Sequence, residues 1–182
     1  FDGPLSVKRA KRTDDLLLDK FIEAGSQAGH PSTNDFNGKQ QEGVSRYEHT
    51  MKGSKRCSAS KAYLRPALKR KNLITKLNIT VNKVIFDGKK AIGIEYLKKG
   101  EKISSFANKE IILSSGSLSS PMILMRSGIG DPKELTKFGI KTINKLEGVG
   151  KNLQDHIAIS TQFESLKPVT LHRSASKLRM GL

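Results

Sequence analysis

Residues able to do chemistry are sparse in this chain, and their spacing excludes more than it allows. The histidines are His30, His49, His156 and His172, and no two lie one helical turn apart, so no helical metal pair is encoded. His156 directly follows Asp155, and side chains of sequence neighbours do not face each other. Cys57 is the single cysteine, which excludes an internal disulfide and a cysteine-rich zinc site. It reads as a buried, idle thiol. A hydrolase nucleophile elbow, Gly-x-Ser-x-Gly, is absent. Gly148-Val149-Gly150-Lys151 is not a P-loop: Asn152 stands where a Ser or Thr would hold magnesium, and Lys145 where the first glycine belongs. Gly128-Ile129-Gly130 does not open a dinucleotide fingerprint, because Lys133 replaces the third glycine and a helix precedes it. What survives is a turn. Ile111-Ile112-Leu113 runs into Ser114-Ser115-Gly116-Ser117. Such small residues at a strand end bring bare backbone N–H groups to a polar or anionic ligand. Equally, they permit close packing of the next helix on the strand.

The elements that position this turn follow from periodicity. Thr13-Asp14-Asp15 caps a helix over 15–28, with Leu17, Leu18, Phe21, Ile22 and Ala24 near helical spacing. Residues 31–60 read as a long polar loop, and 58–68 as a short helix in which Pro66 is awkward. Leu73–Leu77 reads as a short strand. A three-stranded antiparallel meander follows over 80–106, with turns at Asp87-Gly88 and Lys99-Gly100-Glu101. The apolar run Ile111-Ile112-Leu113 suits a strand buried on both faces. Ser120 is placed to cap a helix with Pro121 at its first position, ended by Gly128 and Gly130. Asp131-Pro132-Lys133-Glu134 opens another, with Leu135 and Phe138 inward, and Ile140 to Ile143 suggests a short strand.

Bulk properties suit a globular α/β (α+β mixed) chain rather than a disordered one. The charge of +16, from 33 Lys and Arg against 17 Asp and Glu, would attract polyanions non-specifically. The basic residues are scattered, however, without interleaved aromatics, zinc-finger spacing or an RNA-recognition signature, so specific nucleic-acid binding is not expected. No apolar run is long enough to cross a membrane. The chain begins at Phe1 and stops at Leu182 without a terminal motif, and reads as an internal piece of a larger protein.

The fifteen residues from Gly116 to Gly130 read Gly-Ser, two residues, Ser-Pro, one residue, Ile-Leu, two residues, Ser-Gly-Ile-Gly. This run resembles, position by position, the second signature of the glucose-methanol-choline family of FAD-dependent oxidoreductases. Val149-Gly150-Lys151-Asn152-Leu153-Gln154-Asp155-His156 is similar to that family's next landmark. Gly43-Val44-Ser45-Arg46 and the run from Arg56 to Pro66 resemble its insect-type glucose dehydrogenases. Gly3 to Val7 looks like the segment that opens this region. The likeness covers nearly the whole chain.

The resemblance implies a two-dinucleotide-binding FAD domain, carrying the antiparallel meander, interleaved with a substrate-binding domain. Its divisions are expected to be 1–70 for a substrate- or cap-side segment, 71–156 for the FAD-domain segment and 157–182 for the start of the substrate domain. Val81 matches a family valine whose backbone lies against the FAD adenine, and Ser114-Ser115-Gly116 matches a Ser-Ala-Gly turn beside the cofactor, with Ser115 in place of alanine. The implied reaction oxidises an alcohol or sugar CH–OH to a carbonyl, with hydride to FAD and a quinone or oxygen as acceptor. A dehydrogenase is favoured over an oxidase. No catalytic residue carries over, because the family's histidine pair lies beyond Leu182 and its pyrophosphate loop before Phe1, so the segment alone is expected to be inactive. His156 matches a loop landmark, not the base. An extracellular location is a lean from the family only. The rival readings are a truncated, non-catalytic paralogue and a basic module that binds nucleic acid or an acidic surface.

Overall fold

The computed structural model describes residues 3–9, 16–164 and 166–167. They fall into two compact units that part between Ile74 and Thr75, the second running from Thr75 to Ile159.

In the first unit, β1 (Lys8–Arg9) pairs antiparallel with β2 (Glu48–His49), and β3 (Met51–Lys52) pairs with β4 (Lys55–Arg56). Helix α1 covers Leu16–Gln27, within the expected 15–28; the proposed capping residues 13–15 lie outside the described residues. Gly25 lets α1 approach the 31–60 segment, since a Cβ there would lie 2.7 Å from Val44 Cγ1. That segment, expected as one long loop, carries β2, β3 and β4 in its second half; ahead of them Thr33 is buried and its hydroxyl donates to the Gln40 carbonyl at 2.7 Å. The short helix expected over 58–68 forms as a π-helical turn, Ser60–Leu64, leading into α2 (Arg65–Ala67). The wider turn meets the demand of Pro66, which has no N–H for the carbonyl four residues back. Cys57 is buried at 2% exposure beside this turn, as an inert thiol would be.

The second unit is built on the meander. Strands β5 (Thr80–Asp87), β6 (Lys90–Lys98) and β7 (Glu101–Phe106) pair antiparallel in sequence order. Gly88, with φ +56, stands first in a two-residue turn, and Lys99 (φ +51) with Gly100 (φ +88) forms the second. Both hairpins thus use the left-handed conformations that match strand twist. Helix α3 (Gly116–Arg126) packs on β5, and β8 (Ile129–Gly130), α4 (Pro132–Lys137) and β9 (Asn144–Lys145) follow, with β8 and β9 parallel. Val84, Tyr96, Ile123, Ile129 and Leu135 form the core, all at 9% exposure or less.

Five expectations need correction. Leu73–Leu77 is not a strand: Ile74 and Leu77 are 82% and 76% exposed, and no ladder partner lies beside them among the described residues. Ile111–Leu113 belongs to no strand, and Ile112 is 75% exposed. A strand buried on both faces needs a neighbour on each edge, and the described residues supply none. Helix α3 begins at Gly116, so Ser115 is its N-cap; Ser120 lies inside, where its Oγ accepts from the Ser115 N–H at 2.9 Å. Phe138 is 78% exposed, because α4 ends at Lys137 and only Leu135 reaches the core. The strand expected at 140–143 forms instead at Asn144–Lys145, where Ile129 and Gly130 offer partners.

One buried hydroxyl joins helix to sheet. β5 is an edge strand, and its Val84 N–H donates to Ser127 Oγ at 2.8 Å while that hydroxyl donates to the Ile123 carbonyl at 2.6 Å. Ser127 is 5% exposed, so no water replaces it freely. Ser127→Ala leaves a buried N–H unpaired and is expected to cost ~1–3 kcal/mol, read as a lower urea midpoint with unchanged slope. Next to it, Gly128 has φ +83, and a Cβ would lie 2.5 Å from the Lys141 carbonyl oxygen. Gly139 also has positive φ (+67) but faces open space. Gly128→Ala should therefore lower the melting temperature well beyond Gly139→Ala, whose cost is the left-handed penalty alone, ~1–2 kcal/mol; equal losses would discount the Lys141 contact.

Candidate cofactor site

The N-terminus of α3 is open. Ser115 makes no side-chain cap, and Gly116, with φ +89, starts the helix. The first backbone N–H groups of any helix have no intrahelical acceptor, and together they form a locus for negative charge. Ser114, Ser115 and Gly116 are all exposed, and a Cβ on Gly116 would meet nothing within 4 Å. Glycine is needed there for its φ, and the space in front of it is free. Pro121 sits inside α3. Lacking an N–H, it leaves the Ser117 carbonyl without the donor four residues on.

Immediately beyond the turn lies a groove of about 440 Å³, walled on one side by Ser117, Leu118, Pro121, Met122 and Met125, and on the other by Gly150 to Gln154. The two runs singled out by sequence, the 116–130 signature and the 149–156 landmark, therefore face each other. Their junction is specific. Lys151 Nζ lies 3.2 Å from Asp131 Oδ2, and a Cβ on Gly150 would sit 3.3 Å from Met125 Cε. Asp131 also caps α4, accepting from the Lys133 N–H at 3.0 Å through Oδ1. That hydrogen bond first, and Lys151 second, hold its carboxyl below the usual carboxylate range. The cap was legible from Asp131-Pro132; the Lys151 pairing, across twenty residues, was not.

Val81 stands elsewhere in the same unit. It lies half-buried in β5 opposite Tyr96, immediately before a register shift at Asn82, whose amide donates to Glu95 Oε1. It does not line the groove. His156 is exposed and also off the groove, its backbone N–H donating to Asp155 Oδ1 at 2.8 Å. No group of His, Cys, Asp and Glu suited to a metal occurs among the described residues. The site that sequence and geometry share is thus a largely apolar groove whose lining holds no carboxylate or histidine, Lys151 being its one ionisable side chain. Residues 1–158 match the family described as GMC oxidoreductase.

The chain belongs to the GMC oxidoreductase family. Human mitochondrial choline dehydrogenase is 47% identical over 178 residues, which make up 98% of this chain and 30% of that protein. An oxygen-dependent choline dehydrogenase from Escherichia coli is 42% identical over 174 residues, 94% of this chain and 31% of the relative. Among solved structures, pyridoxine 4-oxidase from Mesorbium loti superposes with a TM-score of 0.78 at 30% identity, covering 85% of this chain and 30% of that one. An FAD-dependent oxidoreductase from Chaetomium thermophilum gives 0.79 at 30% identity, covering 85% and 27%. The chain spans about 30% of the length of these curated relatives. The mixed α/β fold is that of a GMC oxidoreductase segment. The expected likeness to glucose dehydrogenases of insects specifically is corrected: the relatives found are choline dehydrogenases.

Because the Asp131 carboxyl is held low in the fold, its charge stabilises the native state above the ordinary Asp pKa of 3.8 and ceases to do so as pH falls through the lower folded value. Asp131→Asn should therefore be less stable than the native protein at neutral pH. The difference should close below about pH 4, as chemical denaturation at several pH values would show; a gap independent of pH would assign Asp131 a purely steric role.

Proposed function

We propose that this chain is the segment of an FAD-dependent alcohol oxidoreductase that holds part of the flavin cofactor, in a protein whose substrate is a choline-like primary alcohol. The observation that carries the reading is the groove at the open end of α3, where the family signature and the following landmark meet. The residues present fit the group. Uncapped N–H donors of Gly116 to Leu118, the small turn Ser114-Ser115-Gly116 and the ammonium of Lys151 suit the polar and anionic edges of FAD. The backbone at Val81 would lie against the adenine, by the family resemblance. When bound, FAD would supply the hydride acceptor for oxidation of the alcohol carbon, with a quinone or oxygen as the final acceptor.

The chain's own part is to orient and to exclude water. Leu118, Met122 and Met125 supply apolar walls, and the lining carries no carboxylate or histidine, so among the described residues it offers no general base of the usual kind. His156 keeps a structural role. Choline rather than a sugar is supported by the names of the relatives, and a dehydrogenase by the same names. The charge of +16 supports a nucleic-acid module less well, since it is scattered. Among the described residues no helix is long and apolar enough to cross a membrane.

Full-length protein loaded with FAD should bleach its flavin absorbance under anaerobic choline and reduce a quinone analogue, with glucose far slower. A protein that binds FAD but is bleached by glucose alone would overturn the substrate class. Gly116→Ala should weaken FAD binding by at least tenfold, roughly the worth of one misplaced hydrogen-bonding turn. Gly139→Ala carries comparable backbone strain away from the groove and should leave it unchanged.

A further inference from the structure

The backbone at Val81 is fixed more firmly than core packing requires. Val81 is only half-buried, yet three devices converge on it. Before it, residues 73–79 form no ladder, and their one anchor of note is Lys76. Its Nζ donates to Tyr96 Oη at 2.7 Å and to Ser105 Oγ at 3.3 Å, and stands 5.0 Å from the Tyr96 ring centroid. Tyr96 is 3% exposed on the central strand, paired directly with Val81 on one side and Ile103 on the other. Asn78, with φ +56, turns the anchored segment into β5. After Val81, the extra residue Asn82 bulges from the ladder and is held by Glu95. A bulge re-aims backbone groups at a chosen point on a strand. Lys76 is exposed, and an ordinary exposed lysine gains little by ordering its long stem on a phenol. Its arrangement makes sense where the strand entry must be held still.

We propose that Lys76, through Tyr96, is a positioning residue that fixes the backbone at Val81 for the adenine end of the bound flavin nucleotide. This rests on the reading of Val81 as an adenine contact. Lys76 itself touches no reacting atom; its effect should be confined to ligands that carry an adenine.

The test uses the full-length protein with Lys76→Met, which keeps the stem, Lys76→Arg, which keeps the charge, and Tyr96→Phe, which keeps the ring. Affinities for FAD, ADP and the adenine-free FMN are compared. Lys76→Met and Tyr96→Phe should each weaken FAD and ADP by about tenfold, leave FMN unchanged, and Lys76→Arg should restore most of the loss. The ultraviolet tyrosine titration reports the latch independently. The Lys76 hydrogen bond, with smaller contributions from Ser105 and from Lys98, draws the Tyr96 phenol below its ordinary pKa of 10.0. One tyrosine should therefore titrate early in the native protein, and later in Lys76→Met. Equal loss for FAD and FMN would reduce the pair to general stability and overturn the proposal. A shifted titration with unchanged FAD and ADP affinity would instead overturn the Val81 reading, and an unshifted titration would show that the latch does not form.

Discussion

An edge strand carries backbone donors that must be satisfied, and in β5 the buried one at Val84 is met by a side chain of the neighbouring helix end. Ser127 takes the Val84 N–H and returns its own proton to the last turn of α3. The α3 side of the candidate site is tied to the sheet through that joint. It sets where α3 crosses the sheet, and hence where the open N-terminus eleven residues earlier can stand. It also explains why the helix must stop there. Gly128 turns left-handed directly after Ser127, and its carbonyl accepts from both Ile143 and Asn144. Helix end, sheet edge and the parallel β8–β9 pair thus meet within two residues. Any larger side chain at 127 or 128 would force them apart.

Local chemistry was legible in the sequence where a few adjacent residues decide it. Both hairpins could be read from Asp87-Gly88 and Lys99-Gly100, because left-handed φ values admit few residue types. Asp131-Pro132 announced α4, since a carboxylate cap followed by proline has few other uses. The signature helix was legible as an element but not in its start. Ser120-Pro121 looks like a cap, yet Ser115-Gly116 makes an earlier start possible and Ser120 folds back to serve it. A proline six positions into a helix forfeits one hydrogen bond, that of the Ser117 carbonyl, and Ser117 lies at the groove.

Less legible was anything that depends on a distant partner. Ile111-Ile112-Leu113 has the composition of a buried parallel strand, but composition states a need and not a neighbour. The Lys151–Asp131 and Lys76–Tyr96 pairs join residues twenty apart, and no periodicity marks them. Of the four cofactor residues expected, Ser114, Ser115 and Gly116 stand beside the groove and Val81 on the meander. The link between the two places is the sheet–helix joint, which sequence shows only as a serine before a glycine.

The two tight hairpins have a consequence for the order in which the polypeptide assembles. Every ladder contact in β5–β6–β7 closes a loop of two residues, extended by zipping, so the meander has very low contact order. It can pair as soon as Phe106 has left the ribosome, before the signature helix exists. Helix α3 and the turn at 114–117 lie wholly after the sheet in sequence, so the strand pairing that α3 packs against uses only residues already made when that turn emerges.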